Sequence, residues 1–197
     1  MSKAVRTLAV AGAVAAAAAS LLARTPAGEP AKAADAKPVA KADVVAAVDA
    51  WCAGLVEIGK VHEAGGDARA AAAKFIDATY DYADGRVFFR PTLAASPRAF
   101  RNTREGALAY FVGGDPAFPE DGGFALKPWV KVWADNDDEN NGVQVHGDVA
   151  VAMGNIHLRP KDGEAIHVDK TFVFRRGKDG KLRLIAHKSA LPNAPAK

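Results

Sequence analysis

Two Asp-Gly pairs, Asp162-Gly163 and Asp179-Gly180, divide the C-terminal part of this chain into three runs of alternating apolar and polar residues: Val149–Leu158, Ile166–Arg175 and Leu182–Ser189. A period of two sends successive side chains to opposite faces of a strand, and Asp-Gly suits a hairpin turn that needs positive φ. Trp129–Trp133 and Val143–His146 read as two further strands, so the chain beyond Phe124 is expected to be an antiparallel meander.

The first half follows a different period. Val44, Val48, Trp51, Leu55 and Ile58 recur at spacings of four and three, which places them on one stripe of a helix with Asp43 as its expected N-cap and Gly65-Gly66 at its end. Asp67 opens a second, shorter helix through Phe75, Ile76 and Tyr80. Val87-Phe88-Phe89 reads as a strand, and Asn102 with Glu105 resembles a capping box for a third helix through Leu108, Tyr110 and Phe111. Helices followed by a long meander give an α+β fold, with helices packed on one face of a sheet.

Register decides which side chains meet. With two-residue turns, Lys161 pairs with Glu164 and Lys178 with Lys181. Val168 then faces His157, Lys170 faces Asn155, Phe172 faces both Met153 and His187, and Ser189 lies opposite Lys170. One face would carry His157, Asn155, Lys170, His187 and Ser189 among apolar neighbours, the make-up of a small-molecule pocket. A slip of one residue in the first hairpin would instead oppose His157 to His167 and set Asn155 beside Asp169. Two imidazoles lack the third ligand that a catalytic metal ordinarily has, so a metal site there is not favoured, and His146 and His167 are read as half-exposed strand residues.

The formal charge of +3 suggests a polyanion binder until it is located. Residues 1–40 hold five Lys/Arg against two Asp/Glu, and the remainder is balanced at 21 of each. The body is neutral, without the basic patch that nucleic acid requires. The excess lies in a leader-like segment. Lys3 and Arg6 precede an Ala-rich apolar stretch from Leu8 to Ala23, so residues 1–23 read as a signal peptide, with an uncleaved N-terminal anchor as the alternative. The expected location is periplasmic or secreted, with no membrane contact beyond such an anchor. Residues 24–42 read as an Ala/Pro/Lys-rich tether, 43–192 as a single domain and 193–197 as a tail.

Several chemistries are excluded. Cys52 is the sole cysteine, so neither an internal disulfide nor zinc held mainly through sulfur is available, and Cys52 is expected to pack as a small apolar residue. Val112-Gly113-Gly114-Asp115 lacks the Lys of a phosphate loop, and there is no Gly-x-Ser-x-Gly elbow. The acidic run Asp135–Glu139 lacks the Gly and terminal Glu of a calcium loop and reads as a solvated turn.

Three short stretches carry a resemblance. Arg90-Pro91-Thr92-Leu93 resembles a Pro-Thr-Leu strand motif, Ala109-Tyr110-Phe111 a Tyr-Phe helix motif, and His187-Lys188-Ser189-Ala190-Leu191-Pro192 a His-His-Ser-Ser-x-x-Pro terminus. With the order of elements, these resemble the iota-class carbonic anhydrases and their bacterial relatives. Their fold is the nuclear-transport-factor-2-like cone, shared with the calcium/calmodulin-dependent kinase II association domain: a curved, mixed or antiparallel sheet with N-terminal helices packed on it. The resemblance spans about residues 43–192.

It implies a pocket in which Thr92, Tyr110 and Ser189 hold bicarbonate and act on carbon dioxide, and the face read from the two-residue turns adds His187, Lys170 and Asn155 as substrate-binding neighbours. It implies no cofactor in the metal-free members, while manganese is described in others and zinc stays open. The implied partners are a small-molecule substrate or anion and a second copy of the chain. Tyr110, with an ordinary pKa near 10, would need a neighbour such as His187 to act as a base. Lys188 and Ala190 depart from the terminal motif, but by alternation both point away from the face of His187 and Ser189. A second reading keeps the fold and makes it a non-catalytic ligand-binding or dimerising module, with a larger pocket bounded by Trp129, Trp133 and Phe172.

Overall fold

The first helix starts earlier than the expected cap. In the computed structural model, which describes residues 38–135 and 142–193, α1 spans Lys41–Glu63 and Asp43 sits in its first turn, accepting at 3.1 Å from the Ala40 N–H. Val39 is already buried and its N–H bonds to Gly147 O at 3.0 Å, so the folded body takes in the last residues assigned to the tether. Signal peptide, tether up to residue 37, acidic run beyond Asp135 and tail beyond residue 193 lie outside the described residues. Those that are described belong to one compact unit, Ala34–Lys197. No helix among them is long and apolar enough to cross a membrane.

The stripe of α1 is buried as its spacing requires: Val44, Val48, Trp51, Leu55 and Ile58 all face the core. Cys52 is buried beside them, and burial pushes its thiol up to about 12. Helix α2, Ala68–Thr79, is capped by Asp67, whose carboxylate accepts from Ala70 N–H at 2.9 Å. Strand β1 is short, Phe88–Arg90. Helix α3, Arg104–Val112, is capped by Thr103 rather than Asn102. Asn102 instead accepts from the Phe89 N–H at 3.0 Å, tying the start of α3 to β1.

The remaining strands are β2 (Trp129–Ala134), β3 (Gly142–His146), β4 (Val149–Pro160), β5 (Ile166–Arg176) and β6 (Leu182–Ala190). The sheet runs β1-β6-β5-β4-β2, with β3 also on β4; β1 and β6 are parallel and every other pair is antiparallel. The α+β cone expected from the sequence is the fold observed. Alternate residues of β4, β5 and β6 turn to the helix-covered face, where Ile156, Leu158, Val168, Phe172, Phe174 and Leu184 join the core. Strand β4 takes two partners on one edge, β3 along Val149–Met153 and β2 along Ile156–Pro160, and a gap is left beside Gly154.

The first hairpin takes the slipped register and not the one that two-residue turns would give. Ile156 pairs with Val168 and His157 with His167, one residue away from the offset of a two-residue turn. The cause lies beside the turn: Lys161 donates its N–H to Pro128 O at 2.9 Å, continuing the contact with the β2 side, and so is drawn out of the pairing with Glu164. The second hairpin also has a longer loop, closed by Gly177 N–H on Lys181 O at 2.8 Å. A bulge restores the expected offset further along, because Val173 pairs with Ala186 and Phe174 with Leu184, leaving Ile185 over. Phe172 therefore faces His187, and Lys170 faces Ser189, as expected.

Candidate active site

Parallel pairing of β1 with β6 sets Phe89 beside His187 and Arg90 beside Lys188, and the chain leaving β1 carries Thr92 toward Ser189. Their hydroxyl oxygens lie 2.5 Å apart. Tyr110 arrives from α3, held near β1 because Asn102 accepts from Phe89 N–H and Arg101 N–H donates to Phe89 O at 2.8 Å. The Tyr110 oxygen is 3.5 Å from Leu93 N, and Tyr110 and Thr92 line the same slot. Burial pushes the phenol well above its ordinary range, against the opposing pull of Leu93, Thr92 and Arg90. The three hydroxyl residues implied by the resemblance thus converge. Thr92 and Tyr110 border a narrow slot walled by Trp51, Phe89, Phe111 and Phe124, which admits no water-sized sphere in this conformation; Ser189 reaches it through its contacts with Thr92 and Lys170.

Behind the hydroxyls runs a second polar chain. Trp51 Nε1–H donates to Tyr80 Oη at 3.0 Å, Tyr80 Oη is 2.9 Å from His187 Nδ1, and His187 Nε2 is 3.0 Å from Lys170 Nζ. Lys170 Nζ also donates to Ser189 Oγ at 3.2 Å and stands 4.5 Å from the centre of the Trp51 ring. Every one of these side chains is buried. Desolvation lowers Lys170 to about 7, and desolvation, then the nearby Lys170, takes His187 well below its usual value. His187 stacks on Phe89 with ring centres 4.7 Å apart. Its polar partner is Tyr80, so the expected assistance of His187 to Tyr110 is not made directly.

A larger cleft of about 200 Å³ lies on the other side of Lys170, at the gap beside Gly154. Lys41, Val45, Val48 and Asp49 of α1 line it, with Asp135, Met153 and Phe172 opposite. Trp129 and Trp133 do not: Trp129 is buried, its Nε1–H on Phe124 O at 2.9 Å, and Trp133 stacks on His157. The large cleft is therefore not where the hydroxyls meet. The small slot is.

The register change moves two residues off the site. Lys170 faces Gly154, and Asn155 pairs with Asp169 on the opposite face of the sheet, away from Ser189. His157 goes with it, its ring 5.7 Å from His167 and its Nε2 2.7 Å from Asp135 Oδ1. Among the described residues no three His, Cys, Asp or Glu side chains are grouped to hold a metal ion. Tyr80 and Trp51 were read from the sequence as helix-stripe aromatics. A polar tip on each was the available signal, since buried Tyr and Trp ordinarily find hydrogen-bond partners.

The description that matches residues 42–191 of this sequence is that of the metal-independent carbonic anhydrases. The chain belongs to that family. The metal-independent carbonic anhydrase of Nostoc sp. strain PCC 7120 is 48% identical over 158 residues, 79% of this chain and 75% of that one. A cyanobacterial iota-carbonic anhydrase, solved in complex with bicarbonate, superposes with a TM-score of 0.76 at 47% identity, over 80% of this chain and 95% of that one. A calcium/calmodulin-dependent kinase II association domain from Xanthomonas campestris shares the fold, with a TM-score of 0.53 at 21% identity over 78% of this chain and 88% of that one. The resemblance carried by the Thr92, Tyr110 and Ser189 motifs therefore holds for this metal-independent carbonic anhydrase family member, despite Lys188 and Ala190.

Proposed function

We propose that this protein hydrates carbon dioxide to bicarbonate, without a metal, in the slot bordered by Thr92 and Tyr110, with Ser189 bonded to Thr92 beside it. The observation that carries the reading is the meeting of these hydroxyls, with Thr92 and Ser189 oxygens 2.5 Å apart, inside an aromatic wall. Carbon dioxide is apolar and suits Phe89, Phe111 and Phe124; bicarbonate is an anion and suits O–H donors. A site that offers donors only where charge develops favours the transition state over the substrate. Tyr110, held protonated by burial, serves as a donor and not as a base.

Lys3, Arg6 and the apolar stretch to Ala23 support export to the periplasm or beyond. The function is tested by stopped-flow hydration on the purified chain, first with chelator and then with manganese or zinc, beside Thr92→Ala and Tyr110→Phe. Activity that survives chelation and falls in both variants is the expected result. Activity only with added metal would overturn the metal-free reading. Inactivity throughout would leave a binding module, whose ligand would then be sought in the cleft beside Gly154.

A further inference from the structure

The groups behind the slot settle one another's hydrogens. An indole Nε1 donates and cannot accept, so the Trp51–Tyr80 bond runs from Trp51 to the phenol oxygen. The Tyr80 hydroxyl, 1% exposed, has one acceptor among the described residues, His187 Nδ1 at 2.9 Å, and donates to it. A neutral imidazole that accepts at Nδ1 carries its hydrogen on Nε2, and Nε2 faces Lys170 Nζ at 3.0 Å. An N–H pointed at that nitrogen needs a lone pair, which an amine has and an ammonium lacks. The amine hydrogens then serve Ser189 Oγ at 3.2 Å and the face of Trp51.

We infer that Lys170 stands in the resting site as an uncharged amine and carries the hydration proton from the hydroxyl slot to the neighbouring cleft. This rests on the carbonic anhydrase reading above. Lys170 is the one described residue that lines both the slot and the cleft. In the step, water oxygen bonds to the carbon of carbon dioxide and one C=O π pair moves to oxygen. Nζ turns its lone pair from the His187 N–H to the Ser189 hydroxyl, which gives its hydrogen to Nζ and takes the water proton in its place, so carbon dioxide, water and amine become bicarbonate and ammonium. The ammonium can no longer receive the His187 N–H, and the contact holding it in the slot is lost as it charges. Its flexible stem turns toward the cleft, gives the proton to solvent and returns.

The surroundings fit both halves of the cycle. Asp49 and Cys52 face Lys170 from α1, His187 from β6 with Tyr80 bonded behind it, Tyr110 across the slot, and Asp135 and Lys41 across the cleft. Cys52 and both phenols are held protonated by burial and His187 is held neutral, so the charged side chains lie on the cleft side. Desolvation brings Lys170 to about 7, so amine and ammonium interconvert near neutral pH.

Two measurements on the full chain test this. The first is a ¹⁵N NMR titration of lysine-labelled protein, with the Lys170 signal assigned by its loss in Lys170→Met. A midpoint near neutrality is expected, and an ammonium persisting to about pH 9 would overturn the inference. The second is ¹⁸O exchange from labelled bicarbonate, which separates interconversion from the proton-limited release of labelled water. Lys170→Met is expected to slow water release by about tenfold or more while interconversion changes less, and imidazole buffer is expected to restore release. Lys170→Arg, charged at all working pH, should behave as Lys170→Met does. If wild type exchanges and Lys170→Met releases water at the same rate, the shuttle falls and the hydratase stands. A wild type without exchange removes both.

Discussion

Thr92 Oγ1 and Ser189 Oγ lie 2.5 Å apart across 97 residues of sequence, joined because β1 adds to β6 in parallel. Neither side chain could find the other through local structure. Their contact is also the point where the slot hydroxyls meet the buried Lys170–His187 chain, through Ser189.

Ser189→Ala removes the link between the two. Loss of a single oxyanion donor typically costs about 100-fold in rate, and that is the expected fall in hydration by stopped flow. Stability should fall by about 1–3 kcal/mol in urea unfolding, since two hydrogen bonds are lost, the part-buried one with Thr92 and the buried one from Lys170.

Tyr80→Phe leaves the Trp51 N–H buried without its acceptor and His187 Nδ1 without its donor. A cost of about 1–3 kcal/mol in denaturant unfolding is expected. Imidazole ¹⁵N shifts should show His187 protonated at Nε2 in the wild type and a changed tautomer balance in the variant. An Nδ1–H imidazole in the wild type would contradict the hydrogen-bond direction assigned here.

Lys170 is lowered from 10.5 to about 7 in the folded chain. Between these values the unfolded chain binds a proton that the folded chain does not, so wild-type stability rises with pH from about 7 to about 10.5 and the full cost is present below about 7. At ~1.36 kcal/mol per unit the ceiling is about 5 kcal/mol, offset by the hydrogen bonds to His187 and Ser189. Lys170→Met should therefore be the more stable protein at pH 7 in urea, with the difference shrinking toward pH 10.

Arg101 is fully buried, bonded through Nε and Nη2 to both Asp121 oxygens at 2.7 and 2.8 Å, and lies over the Phe118 ring. Arg101→Met strands the Asp121 carboxylate and should cost about 3–5 kcal/mol. Asp121→Leu added to it should recover part of that loss in thermal unfolding. An additive double variant would argue against the pair.

What was legible in the sequence was whatever repeats along one element. The α1 stripe, the Asp67 cap and the alternation of the C-terminal strands follow from spacing and side-chain chemistry, and all were found where expected. The caps of α1 and α3 were displaced by one to three residues because Asp43 and Asn102 found partners other than the ones their position suggested: Asp43 reaches back to Ala40 and Asn102 out to Phe89. The hydroxyls of the candidate site were legible through the motifs around Thr92, Tyr110 and Ser189, as residues the fold brings together. Tyr80 and Trp51 were not, because an aromatic on an apolar stripe looks the same whether or not its polar tip is used.

The sequence by itself determined the element order, the apolar faces and, through the Lys170–Ser189 pairing, one edge of the site. Only the tertiary structure decided which face Asn155 and His157 would take. Strand alternation is identical in two registers one residue apart, and the choice depends on contacts outside the hairpin, such as the pairing of β4 with β2 and the Lys161 N–H on Pro128 O beside it. The charge of Lys170 was settled at the same level. A lysine is cationic by its own chemistry, and it takes enclosure by Trp51, Phe172 and His187 to make the amine its resting form.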